Sequence, residues 1–212
     1  MNALNYYSLN RSEILELAKF VVEENCNHHC LSRHFQSNRE IQIIFNEESK
    51  LQNSKIFVTR DSDYSIVGSI RVLKWNLMDI LPIKKMFGID PKAFLMNRST
   101  EIWHIGRFAI KKGIDKTGFN VFKTLMVCAI NEVCKHENSL ALAECDAKLL
   151  KILKLLGIEA IVLADSINYL GSETIPVLIT YKSLKTFLDK NSFLLPRNLN
   201  SLHQSVVFQA TA

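Results

Sequence analysis

Apolar and polar positions along the 212-residue chain repeat with two different periods. From Asn10 to Asn25, Ile14, Leu17, Ala18, Val21 and Val22 fall on one stripe at helical spacing. Asn10 with Glu13 has the form of a capping box, so the segment reads as a helix. Ser54–Arg60 and Tyr64–Trp75 read as strands, and the turn at Asp61-Ser62-Asp63 predicts that they form an antiparallel hairpin. Asn76–Asp90 reads as a short helix and loop. Glu101–Ile110 is a further strand and Gly113–Gly118 a polar loop. Phe119–His136 is a strong helix, because Val121, Phe122, Leu125, Met126, Ala129, Ile130 and Val133 form a continuous apolar stripe. Leu140–Ala143 is a short buried strand. Asp146–Leu156 is a helix that Asp146 is placed to cap and Gly157 to end. Ile158–Ala164 and Ile175–Tyr181 are strands, and Ser183–Lys190 is a last helical turn or two. Cys26–Gln52 has no clear period. In the tail, Asn191–Ala212, Phe193, Leu194, Leu195 and Val206–Phe208 are expected to pack on the body.

A hairpin meander followed by a strand–helix–strand crossover predicts an α/β (α+β) fold with a mixed sheet and helices on both faces. The crossover from 101–110 through 119–136 to 140–143 should be right-handed, with the two strands parallel.

Composition narrows this picture without changing it. At 24.3 kDa, with 48% apolar and 22% charged residues, the chain suits one domain over 1–212. Its net charge of +5 is too small to argue for nucleic acid, but suits an acidic partner or a phosphorylated ligand. No apolar run is long enough for a transmembrane helix, which leaves at most transient contact with a membrane surface. A polar N-terminus without signal-peptide character and five scattered cysteines point to reduced thiols in the cytoplasm. Cys26, His28, His29 and Cys30 make half a zinc site with no second pair nearby, so no metal is expected.

Chemistry concentrates around the strand at 101–110. A polar loop that leads from a strand into a helix N-terminus offers backbone N–H groups and the helix dipole to a phosphate. Lys111, Lys112, Lys116 and Gly118 lie in that loop, which by itself reads equally as a solvated basic loop.

Two motifs go further. Gly68-Ser69-Ile70-Arg71-Val72-Leu73 resembles the G-x-x-R-L-L strand of acyl-homoserine-lactone synthases. Trp103-His104-Ile105-Gly106-Arg107-Phe108-Ala109-Ile110 resembles their W-E-L-S-R-F-A-V strand. Order and spacing agree, and the resemblance covers about 54–182. Through this family and the related N-acyl amino acid synthases, the chain is similar to the GNAT superfamily. The resemblance implies a mostly antiparallel twisted sheet with a central, splayed parallel strand pair. It also implies transfer of a fatty acyl group from an acyl-carrier-protein or coenzyme A thioester to the amine of an amino acid or similar small acceptor, with no permanently bound cofactor. A short-chain acetyltransferase of the same superfamily and a non-catalytic acyl-binding protein are the alternatives. The chain departs from the pattern in three places. His104 replaces the family's glutamate. Residues 26–52 lack its S-adenosylmethionine-binding pattern. The glycine-rich loop is reduced to Gly113 and Gly118.

N-acylation needs a base and donors for an oxyanion. His104 stands where the family has its acid–base carboxylate. It reads either as that base or as a core histidine with a satisfied hydrogen bond, since strand alternation groups it with Ile102, Gly106 and Phe108. Glu101 is a backup base or a solvated strand start. Alternation places Arg107 on the opposite face, with Glu101, Trp103 and Ile105. Arg107 and Arg71 are expected either to orient the acceptor or to brace the sheet, and Trp103 stands beside them in the same role. The resemblance assigns the acyl donor to Phe108, Ala109, Ile110, Lys111, Lys112, Lys116, Gly118 and Phe119. Lys148, Lys151 and Lys154 form either a solvated helix face or a dock for an acidic acyl carrier protein. Cys145 reads as a small buried residue.

Overall fold

Apolar residues appear on both faces of the central strands, so the sheet needs cover on two sides, and helices supply it. The computed structural model describes residues 4–29, 37–114, 119–169, 172–197 and 199. The strands are β1 (Asn5–Ser8), β2 (Ser54–Arg60), β3 (Ile66–Lys74), β4 (Glu101–Ile110), β5 (Ser139–Cys145), β6 (Ala160–Val162), β7 (Ile167–Tyr169) and β8 (Ser172–Thr180). The helices are α1 (Ile14–His29), α2 (Ser37–Lys50), α3 (Pro82–Phe87), α4 (Asn120–Val133), α5 (Ala147–Leu155) and α6 (Tyr181–Asn191). Sheet order is β1-β2-β3-β4-β5-β8-β6, with β7 extending the edge of β8. Among the described residues only β4 and β5 run parallel; every other pairing is antiparallel. This is the mixed, mostly antiparallel sheet with a central parallel pair that the sequence implied.

The stripe read on α4 packs beneath β3 and β4. Leu125, Val127, Ala129, Ile130 and Val133 are buried there with Ile70, Val72, Trp103 and Ile105, and α6 and α5 add Leu184, Phe187 and Leu153. The opposite face is covered by α1, α2 and α3. Leu17 and Phe20 lie over Ile56 and Val58, and Leu81 and Ile83 over Leu73, Ile102 and Leu142.

Several boundaries differ from the sequence reading. β1 is an edge strand in a segment read only as polar. Cys26–Gln52 contains the end of α1 and all of α2. Ile158–Ala164 shortens to β6, and the strand at 175–181 starts earlier, at Ser172. Asp146 caps α5 by accepting from the Leu149 N–H at 2.6 Å, and Gly157 ends it at φ +78°. In the tail, Leu194, Leu195 and Leu199 pack on the α4 core, while 200–212 lie outside the described residues. No helix among the described residues is long and apolar enough to cross a membrane. Replacing Asp146 with Ala should lower stability by about 1 kcal/mol in urea unfolding, the usual cost of losing an N-cap.

Candidate active site

β4 pairs with β5 only from Glu101 to Ile105, although β4 runs on to Ile110 and β5 to Cys145. Beyond Ile105 the strands part, and a cleft of about 960 Å³ opens through the gap. On the α4/α5 side its wall is apolar, with Phe108, Phe122, Met126, Leu149, Ile152, Leu153 and Ile179. On the α1/α2/α3 side apolar residues such as Val22, Ile44, Leu81 and Met86 frame a polar strip of Glu47, Glu48, Arg71, Lys85, His104, Arg107 and Glu144.

A bulge in β4 lies at the gap. Arg71 pairs with Gly106 and Ser69 with Ala109, so Arg107 and Phe108 together face the single residue Ile70. Arg107 has φ +51°, a left-handed backbone that non-glycine residues rarely adopt. Three bonds hold it there. Its Nε donates to Glu48 Oε1 at 2.7 Å, its Nη2 donates to Glu47 Oε2 at 2.7 Å, and its carbonyl accepts from Ser69 Oγ at 2.8 Å.

The bulge inverts the alternation beyond it. Arg107 therefore joins His104 and Arg71 on the α2 side, which corrects the expectation that it shares a face with Glu101, Trp103 and Ile105. Phe108 turns to the other face and meets Phe122 edge-on at 4.7 Å. It was expected beside His104.

A buried hydrogen-bonded chain runs along the polar wall. Arg71 Nη1 lies 2.9 Å from His104 Nδ1, and His104 Nε2 lies 2.8 Å from Glu144 Oε2. A guanidinium only donates, so Nδ1 accepts and carries no proton. Nε2 then holds the ring proton and donates it to Glu144. On its other side Arg71 Nε faces Glu48 Oε1 at 3.5 Å. Arg71 and His104 are 2% and 1% exposed. Burial pushes the Glu48 carboxyl up, but the guanidiniums of Arg71 and Arg107 outweigh it and hold Glu48 below the usual carboxylate range. Burial lowers Arg71, whereas Glu48 and Glu47 outweigh burial at Arg107 and raise it. Gly106 leaves space for this chain: a Cβ there would lie 3.0 Å from Arg71 Nη2 and 3.1 Å from His104 Cε1.

Solved structures share this fold. FeeM, an N-acyl amino acid synthase from uncultured soil microbes, superposes with a TM-score of 0.65 at 11% identity, over 90% of this chain and 98% of its own. The acyl-homoserine-lactone synthase LasI gives 0.58 at 11% identity, over 89% and 95%. A GNAT-family acetyltransferase from Staphylococcus aureus gives 0.52 at 15% identity, over 83% and 98%. The chain has a GNAT-like fold. No protein-family model matches it, and no curated protein matches it in sequence.

Within the GNAT fold, the residues singled out from sequence divide into two groups. His104, Arg71 and Arg107 come together on the polar wall. Phe108, Ala109, Ile110, Lys111, Lys112 and Phe119 follow along the splayed edge and line the cleft. The Ile110 carbonyl accepts from His28 Nε2 at 3.3 Å, and the Lys112 N–H donates to Glu24 Oε2 at 3.1 Å, so α1 ties down the end of β4. Lys116 and Gly118 lie outside the described residues. Lys148, Lys151 and Lys154 are exposed on α5, and Lys148 borders the cleft.

Glu101 and Trp103 do not reach the cleft. Glu101 pairs with Lys74 at 2.6 Å at the far end of β4, and Trp103 is buried against α4. Cys145 borders the cleft, but burial pushes its thiol up to about 12, so it is not a thiolate at neutral pH. Of the clustered cysteines and histidines at the end of α1, Cys30 lies outside the described residues. Among those residues no group of side chains is placed to hold a metal.

The sequence reading missed Glu47, Glu48 and Glu144. A signal for Glu48 existed: Ile41, Ile44, Phe45 and Glu48 stand at i, i+3, i+4 and i+7, so a carboxylate occupies the fourth position of an apolar stripe.

The folded-state pKa of Glu48 is below its unfolded value, so the unfolded chain takes up this proton first as pH falls. Its contribution to stability is therefore present above about pH 4.3 and lost below that. Thermal melts should show Glu48→Gln losing about 3 kcal/mol at pH 7, because Arg71 and Arg107 lose a buried partner. The variant's melting temperature should also fall less steeply below pH 4.3 than the wild type's.

Proposed function

We propose that the chain is an N-acyltransferase that moves a fatty acyl group from an acyl-carrier-protein or coenzyme A thioester to a small primary amine. The observation that carries this reading is the cleft through the β4–β5 gap, apolar on one side of the sheet and lined by Glu144 and His104 on the other. The acyl chain lies in the apolar arm between α4 and α5, where burial stabilises it by about 0.8 kcal/mol per methylene. The thioester carbonyl sits at the splayed edge. The Lys111 N–H bonds the Val67 carbonyl on β3, and alternation then turns the N–H groups of Phe108 and Ile110 toward the edge that β5 has left. These N–H groups polarise the carbonyl and stabilise the oxyanion. Lys111, Lys112 and the N-terminus of α4, which no side chain caps, face the donor's phosphate. Lys148, Lys151 and Lys154 form the docking face for an acidic carrier protein.

Glu144 is the general base. It removes a proton from the amine as the C–N bond forms and the C–S bond breaks, and the proton leaves on the departing thiol. His104 is a positioning residue: with Nδ1 occupied by Arg71, its Nε2–H holds the Glu144 carboxylate toward the gap. This differs from the family pattern, in which a carboxylate stands on β4 itself. Here the carboxylate stands one strand over, on β5, and the histidine spans the distance.

Two measurements test this reading. Glu144→Gln and His104→Ala should each lower kcat by about 10²-fold or more, with little change in KM for the donor. His104→Gln keeps an N–H for Glu144 and should recover much of that loss. If His104 itself is the base, His104→Gln will be as inactive as His104→Ala. Thiol release should be faster with decanoyl than with acetyl thioesters, and activity with acetyl donors alone would favour a short-chain acetyltransferase.

A further inference from the structure

Ser69 and Arg71 are the two polar side chains in the buried run Ile66–Leu73 of β3. Arg71 is committed to His104 and faces Glu48. Ser69 is 0% exposed, and among the described residues its hydroxyl makes one hydrogen bond, donating to the Arg107 carbonyl at 2.8 Å. Burying a hydroxyl is costly unless it is bonded. This bond falls on the one residue of β4 whose backbone is left-handed.

The bond fixes something that the carboxylate clamp does not. Glu47 and Glu48 hold the tip of the Arg107 side chain. They leave the peptide plane between Arg107 and Phe108 free to turn, through opposed changes in ψ of Arg107 and φ of Phe108 that move the flanking chain little. That peptide is trans, so its C=O and N–H point in opposite directions. With the Arg107 carbonyl drawn to Ser69 on β3, the Phe108 N–H points away from β3, toward the gap that opens where β4–β5 pairing ends at Ile105. The opposite orientation would put the carbonyl oxygen at the gap, where it would repel the oxygen of a bound thioester.

Resting on the acyl-transfer reading above, we propose that Ser69 is a positioning residue for the oxyanion. Its hydroxyl holds the Arg107–Phe108 peptide with the N–H aimed at the thioester carbonyl oxygen. As the amine nitrogen bonds to the carbonyl carbon, the C=O electron pair moves onto that oxygen, and the Phe108 N–H donates to it. The pair returns as the C–S bond breaks and the thiol leaves with the amine's proton. Ser69 touches neither substrate and acts only through the peptide it holds.

Kinetics and infrared spectra test this together. Ser69→Ala removes the donor, whereas Ser69→Cys keeps a side chain of similar size with a weaker one. With the decanoyl thioester of coenzyme A or of carrier protein, Ser69→Ala should lower kcat by about tenfold or more and leave KM for the donor within about twofold. Ser69→Cys should fall between it and the wild type, and Ser69→Thr, which keeps the hydroxyl, should recover most of kcat. The spectra follow the carbonyl stretch of the same thioester, isotopically labelled at its carbonyl carbon and bound without acceptor. Wild-type protein should shift the stretch to lower frequency. Ser69→Ala should lose much of that shift, which a loss of stability alone does not produce. Should Ser69→Ala fail to fold, Ser69→Cys carries both measurements. A wild-type kcat, or a carbonyl frequency unchanged from the wild type's, in the folded variant overturns the role of Ser69 and leaves acyl transfer intact. Absence of thiol release by the wild type with both decanoyl and acetyl donors overturns both.

Discussion

The clamp of Glu47 and Glu48 on Arg107 is the interaction on which the rest of the site depends. A non-glycine residue in a left-handed conformation within a strand costs on the order of 1–3 kcal/mol, and persists only where its surroundings over-determine it. Here two carboxylates from α2 and the Ser69 hydroxyl do so. The resulting bulge has two consequences. It turns Arg107 onto the face of Arg71 and His104, and it sends Phe108 to the α4 side, into the apolar arm. The same short segment thus supplies one wall of each arm of the cleft.

From this clamp an alternating chain of charge and hydrogen bonds runs across three strands: Glu47, Arg107, Glu48, Arg71, His104 and Glu144. Arg71 and Arg107 stabilise Glu48 in its charged form, and each arginine is spent on holding a carboxylate. At the end of the chain His104 Nε2 meets Glu144, which lies within electrostatic reach of Arg71. Gly106 completes the arrangement by having no side chain where Arg71 and His104 meet. The wall thus places the Glu144 carboxylate, held by His104, at the gap between β4 and β5.

Helices and strands with unbroken period were legible in the sequence. The stripe on α4, the capped start of α5 and the β2–β3 hairpin needed only local spacing. α2 was not legible, because its first four residues are all polar and its apolar stripe ends on Glu48. β1 was missed because four residues at a sheet edge carry too little pattern to separate from a polar terminus. His104, Arg71 and Arg107 were visible as unusual residues in apolar strands, but their partners Glu47, Glu48 and Glu144 lie 23 to 60 positions away in the chain, on elements that local spacing cannot connect.

The sequence by itself determined the order of the elements from β2 through α5 apart from α2, the mixed sheet with one parallel pair and the segment in which chemistry is concentrated, since these follow from periodicity and from the motif around His104. Only the tertiary structure decided which face Arg107 occupies, which carboxylate stands at the gap and which tautomer His104 adopts. Strand alternation is a local rule, and one extra residue reverses it. Whether that residue is present depends on what α2 and β3 hold against it.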